Sequence, residues 1–189
     1  MSCTLTSGRT EPCKNEIGGI KAVYFMPYVK YDYSQIVGVR GSTLTSFPTT
    51  DVYKYVVQGG SFTERIESKE DGFLVEQSLD FTLWKMGYFT NQELSILEKI
   101  DFRYIIEMNN GKFRIGGLFD GGRIDSINAQ TGGALGDLNG YQVSISSQER
   151  WAAPFISDLS DVGFNEVNNY LFEDADFVLF MNGEEYIFN

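Results

Sequence analysis

Residues 73–85, FLVEQSLDFTLWK, constrain the fold of this chain more than any other stretch. Phe73, Val75, Leu79, Phe81 and Leu83 share one side of a period-two alternation, interrupted only by Gln77, while Glu76, Ser78, Asp80 and Thr82 share the other. That pattern is a strand with one buried and one wet face. Thirteen residues at about 3.3 Å each reach roughly 40 Å, beyond the usual strand length, which predicts a wall that continues past its own subunit.

The other segments supply neighbours for this wall. Residues 18–28, GGIKAVYFMPY, read as a first strand that Pro27 ends at a sheet edge, and residues 31–39 read as a second short strand. Residues 41–51 have the Ser, Thr and Pro content of a loop. Two strand-like runs within 52–68 flank Gln58-Gly59-Gly60, which predicts a hairpin turn. One helix is expected over residues 90–100, where Thr90 and Glu93 have capping-box spacing and Leu94, Leu97 and Ile100, with Ile96 beside them, recur at helical intervals. A β-hairpin follows around Asn109-Asn110-Gly111. Residues 120–140 are glycine-rich and poor in large side chains, which predicts a long loop before a last strand that alternates Tyr141, Val143 and Ile145 against Gln142, Ser144 and Ser146. The expected division is an N-terminal arm at 1–17, a β domain at 18–156 and an extension at 157–189 that closes on a second turn signal at Asn182-Gly183.

A length of 189 residues suits one compact core. Acidic residues number 26 against 15 basic ones, and the resulting charge of −11 disfavours tight binding of nucleic acid. The first residues lack an apolar run behind a basic start, and no later run is long enough to cross a bilayer, so synthesis in a cytosol and no membrane partner are expected. Cys3 and Cys13 could pair, but a cytosolic chain usually keeps such thiols reduced.

Candidate chemistry is sparse. The chain has no histidine, which removes the usual base for a Ser or Cys nucleophile and the commonest metal ligand. Glu76 and Asp80 share a strand face and could in principle act as a carboxylate pair, yet any solvated face shows the same alternation. Asp120 and Asp125 flank Gly121-Gly122 without the spacing of a calcium loop, and GGLFDGG at 116–122 lacks the lysine and the following helix of a phosphate loop. Tyr24, Phe25, Tyr28, Tyr31 and Tyr33 could stack on sugars or bases, although strand aromatics more often pack a core. No catalytic residue, cofactor or metal is expected.

Residues 132–156, GGALGDLNGYQVSISSQERWAAPFI, carry a family resemblance. They are similar to the closing segment of tail tube proteins in phages of Bacteroidetes hosts, where a Gly-rich ALGD-NGY stretch leads into a final strand and an acidic residue precedes a proline. The order of strands, helix, hairpin, loop and last strand resembles the same family over residues 18–156, whereas residues 157–189 have no counterpart there. A tail-tube-like ring or adaptor protein, or a tube protein with a decoration arm, would account for that difference.

The resemblance implies a mainly β, sandwich- or barrel-like fold with one flanking helix, a long glycine-rich loop and a C-terminal extension. It also implies rings of six copies that stack into a virion tail tube, alongside other tail proteins, with no enzymatic activity and with DNA passing through unbound. Gly132, Gly133, Leu135, Asp137, Trp151 and Phe155 are then candidates for subunit contacts, the glycine loop becoming ordered against a neighbour. Glu64, Glu76 and Asp80 are candidates for the lumen, unless they serve only to keep a monomer soluble. The other class of function is a carbohydrate-binding β-sandwich, which a solvent-facing row of aromatics would favour.

Overall fold

The computed structural model describes residues 17–36, 38, 43–69, 72–167, 178–181 and 184–186. In chain order the elements are β1 (Ile20–Pro27), a 3-10 turn (Tyr33–Gln35), β2 (Thr43–Leu44), β3 (Thr50–Val56), β4 (Gly59–Lys69), β5 (Gly72–Trp84), helix α1 (Tyr88–Leu97), β6 (Phe102–Met108), β7 (Phe113–Gly116), β8 (Gly122–Gln130), β9 (Gly140–Glu149), β10 (Phe155–Ile156), the single-turn helix α2 (Leu159–Val162), β11 (Phe164–Val167), β12 (Val178–Met181) and β13 (Glu184–Tyr186). The chain is mainly β. Its principal sheet runs β11-β3-β1-β6-β8-β9-β5-β4, with β7, β10 and β2 branching from β6, and it curls into an open half-barrel.

The curl has a definite corner. Strands β6 and β8 share one register pair, Phe102 with Gly122, so the sheet folds there into a wall of β8-β9-β5-β4 and a second leaf built on β1, β3 and β6. One core joins the two leaves: Val23, Phe25, Leu79, Phe81, Leu83, Tyr104, Ile106, Val143 and Ile145, with Leu94 and Leu97 of α1. A second core covers the opposite side of β1 and β6, where Tyr24, Met26 and Ile105 meet Leu44, Val52, Ile156, Leu159, Val162 and Phe164. Strands β1 and β6 are therefore buried on both faces, which explains why AVYFM and FRYII are nearly continuous runs and not alternations.

Several sequence expectations are corrected. Strand β1 is no edge, since β3 and β6 flank it and Pro27 occupies only its last position. Residues 31–39 form no strand among the described residues; Tyr33–Gln35 is a 3-10 turn, with the Asp32 amide donating to the Gln35 side chain at 3.0 Å. Residues around Gln58-Gly59-Gly60 do not make a hairpin, because β3 pairs with β1 and β11 while β4 pairs with β5, so the chain changes leaf there. Helix α1 starts at Tyr88 after Gly87 with no side-chain cap, and Ile96 and Ile100 stay exposed while Leu94 and Leu97 are buried.

The predicted long loop is half strand. Gly122–Gln130 pairs with β9, and a register shift between Ile124 and Ser126 lets Ile124 and Ile127 both reach the first core despite their odd spacing. Residues 120–121 and 131–139 remain outside the strands. Beyond residue 157, Leu159, Val162 and Phe164 fill the second core and β11 pairs parallel with β3. The Asn109-Asn110-Gly111 hairpin is present, with Gly111 at φ +77°. Strands β12 and β13 pair antiparallel; Asn182 and Gly183 between them lie outside the described residues, as do Cys3, Cys13 and the arm up to residue 16.

Candidate assembly surface

The wall presents one face to the first core and the other to solvent. On the outer face the register aligns Ser61, Asp80 and Ser144 in one row, Thr63, Ser78 and Ser146 in the next, and Arg65, Glu76 and Gln148 in a third. Strand β8 extends two of these rows with Ser126 and Arg123. The surface is thus small and polar. Ser144 donates to Asp80 at 2.6 Å and Ser146 to Asp125 at 2.7 Å, while Arg65 pairs with Glu67 at 3.0 Å and Arg123 with Asp101 at 2.6 Å. Glu67, Glu76, Asp80 and Asp125 outnumber the two arginines, so the face is net acidic.

Both lateral edges of the wall are open. Among the described residues β4 has no strand on the side away from β5, and β8 has none beyond Gly122 on the side away from β9. A long edge strand with unpaired N–H and C=O groups is a template for another chain. Here the two edges belong to one sheet and point in opposite directions.

The expected contact residues separate into two places. Gly132, Gly133, Leu135 and Asp137 lie in the loop ahead of β9, where the Asp137 carboxylate accepts from the Gly133 and Ala134 amides at 2.9 and 2.8 Å. Those two amides hold the Asp137 carboxyl below its ordinary range. The loop is thus folded by its own contacts, with Leu135 fully exposed at its tip. At its base the Lys85 amide donates to the Asn139 carbonyl at 2.6 Å, and Lys85 takes a left-handed φ of 68° that turns the chain from β5 into α1. Trp84, Tyr88 and Phe89 are exposed at this same end, and Ile66 and Phe73 at the far end of the β4–β5 pair.

Trp151 and Phe155 sit elsewhere, along the chain leaving β9. Trp151 packs edge-on against Phe119 at 5.2 Å, and Phe155 lies 5.0 Å from the Arg114 guanidinium. Glu64 belongs to this region and not to the acidic face. It stands opposite Gln77 on the inner side of the wall, where it is ion-paired with Arg114 and accepts from the Ala153 amide at 2.6 Å. The three carboxylates expected to line one surface therefore divide, with Glu76 and Asp80 outside and Glu64 inside. Gln77, which breaks the apolar alternation, explains the division: it donates to Glu64 at 3.3 Å and accepts from Gly117 N and Ser147 Oγ at 3.1 and 2.9 Å.

Next to this cluster lies a relay that no sequence signal announced. Arg103 Nε donates to the Leu118 carbonyl at 2.7 Å, and the N–H of the same peptide group, at Phe119, donates to Glu149 Oε1 at 2.8 Å. Asp120 N adds a second donor to that oxygen at 3.1 Å. The remaining carboxylate oxygen of Glu149 and Nη1 of Arg103 are buried without a hydrogen-bond partner among the described residues. Burial pushes the Glu149 carboxyl up to about 7, against the pull of the two amides and of Arg103, and burial likewise lowers Arg103.

Other candidate chemistry stays dispersed. Tyr24 and Phe25 are core residues, Tyr28 and Tyr31 pack around Arg103 at 4.4 and 5.2 Å, and the Tyr33 side chain lies outside the described residues. A groove of about 360 Å³ is lined by Tyr24, Lys54, Glu107, Phe113, Ser160 and Glu166, among others. Burial raises the Glu107 carboxyl, but hydrogen bonds from Lys21 and Tyr24 outweigh it and the net shift is downward. Lys54 is 3.4 Å from Glu166 and Lys21 is ion-paired with Glu107, while Asp158 adds a further carboxylate to the lining, so the groove is acidic. Among the described residues no three His, Cys, Asp or Glu side chains converge as metal ligands, and no helix is long and apolar enough to cross a membrane. No family model, no curated protein and no solved structure matches this chain.

Proposed function

We propose that the chain is a virion structural protein, a subunit that assembles into rings, six copies in the related family, and whose rings stack as a phage tail tube. The observation that carries this reading is the wall with two open edges. Copies set side by side in one direction would join β4 of each to β8 of the next, a heterologous contact that closes into a ring when the rotation is right and removes both edges. The resemblance of residues 132–156 to tail tube proteins supports the same reading.

The charge of the wall fits a conduit. In a closed ring the rows containing Asp80 and Glu76, with Glu67 and Asp125, would form a small-polar lining that repels passing DNA. Glu64 has no part in that lining. Trp84, Tyr88, Phe89 and Leu135 at one end of the wall and Ile66 and Phe73 at the other supply apolar contacts for stacking. The sugar-binding alternative finds less support, since the outer face of the wall holds no aromatic row among the described residues, only Trp84 at its margin.

Mass photometry over rising concentration, with negative-stain electron microscopy of the same samples, tests the reading. Closed rings or stacks support it. A chain that stays at 21.3 kDa at every concentration and in the presence of assembling tail components contradicts it.

A further inference from the structure

We propose that Glu149 is a proton-operated latch on the connection between β7 and β8: with its carboxyl neutral the connection stays closed over Trp151, and with it charged the connection opens. The geometry is that of a buried side chain, 2% exposed, whose one oxygen takes two amides from the connection while the other has no hydrogen-bond partner among the described residues. A carboxylate in that position costs more to charge than one in water, so the closed form holds the proton more tightly than an open form in which Glu149 is hydrated. By linkage, removing the proton must favour opening. The raised ionisation of Glu149, near neutrality, places the change in the physiological range.

The groups that face Glu149 agree with this assignment. Arg103 of β6 favours the charge, but it is the weakest of the influences on Glu149 and its guanidinium donates to Leu118 O and Val29 O. Asp120 of the connection opposes the charge. Tyr104 of β6 is itself pushed up by burial and stays neutral, and beyond it the Glu64–Arg114 pair of β4 and β7 is internally compensated. The moving part would be Leu118–Asp120, whose Phe119 ring lies against Trp151. The latch requires no second copy of the chain and operates whether or not the protein assembles.

Trp151 reports the latch directly in dilute protein, once Trp84→Phe removes the only other tryptophan. Acrylamide quenching of Trp151 should rise from about pH 5 and level off above about pH 7.5, with opening gaining at most about tenfold per pH unit, the limit for one proton. Glu149→Gln should flatten the profile. Asp120→Asn, which removes an opposing charge at an exposed site, should move the midpoint to lower pH. A flat profile in the Trp84→Phe protein, a rise that survives Glu149→Gln, or a midpoint unmoved by Asp120→Asn overturns the proposal.

Discussion

Arg103 and Glu149 hold the two ends of one peptide group: the guanidinium donates to the Leu118 carbonyl and the carboxylate accepts from the Phe119 N–H. The peptide dipole has its negative end toward the Arg103 guanidinium and its positive end toward Glu149, so it favours the buried cation and eases, without cancelling, the cost of charging the carboxyl. The burial cost of the carboxylate still wins, and Glu149 remains raised to about 7. The shared peptide group also ties the wall, through β9, to the second leaf, through β6.

Glu149→Gln should therefore stabilise the protein at neutral pH. A carboxyl raised in the folded state contributes stability that is fully present below its unfolded value and is lost as pH rises through the folded one, here from about 4.5 to about 7. At about 1.4 kcal/mol per unit, the gain from the amide has a ceiling of about 3 kcal/mol above pH 7 and vanishes near pH 4. Urea denaturation at several pH values checks both the sign and the window.

Arg103→Met should destabilise by about 2–4 kcal/mol, chiefly because it leaves the Leu118 and Val29 carbonyls without these donors. Adding Glu149→Gln should recover part of that loss. A double-mutant cycle by chemical denaturation measures the coupling; strict additivity would show that the peptide does not relay the charges.

Gly140 should tolerate no side chain. A Cβ there would lie 2.0 Å from the Leu83 carbonyl, where β9 begins beside the end of β5, and backbone cannot yield as a flexible side chain can. Gly140→Ala should cost about 2 kcal/mol or more, whereas Gly59→Ala, whose Cβ meets nothing within 4 Å, should cost little. Thermal unfolding of the two variants separates them.

The acidic candidates should behave differently by face. Glu76→Lys with Asp80→Lys should leave monomer stability within about 1 kcal/mol, since both residues lie on the solvated face, yet make assembled protein retain DNA at low salt. Glu64→Lys should instead unfold or strongly destabilise the monomer, because it places a second cation against Arg114. Denaturation and DNA co-sedimentation give the two readouts.

What was legible in the sequence follows from which elements obey simple periods. The long wall strand, its neighbour β9 and the Asn-Gly hairpin were readable because one face is wet and the turn residues are specific. Strand β8 was hidden by its bulge at Asp125, and β11 by parallel pairing across 114 positions from Asn165 to Asp51. The split of Glu64 from Glu76 and Asp80 could have been found by counting, since 64 faces 77 in the register that pairs Lys69 with Gly72. The Arg103–Glu149 relay could not, because neither residue has a local partner that marks it as buried.

The most direct test of the account is amide hydrogen exchange on β4 and β8, compared between monomeric and assembled protein. The edge-pairing account predicts that alternate amides of Gly59–Lys69 and of Arg123 to Gln130, those pointing away from β5 and β9, become protected on assembly, while β5 and β9 change little. Assembly that leaves both edges exchanging as in the monomer would contradict it.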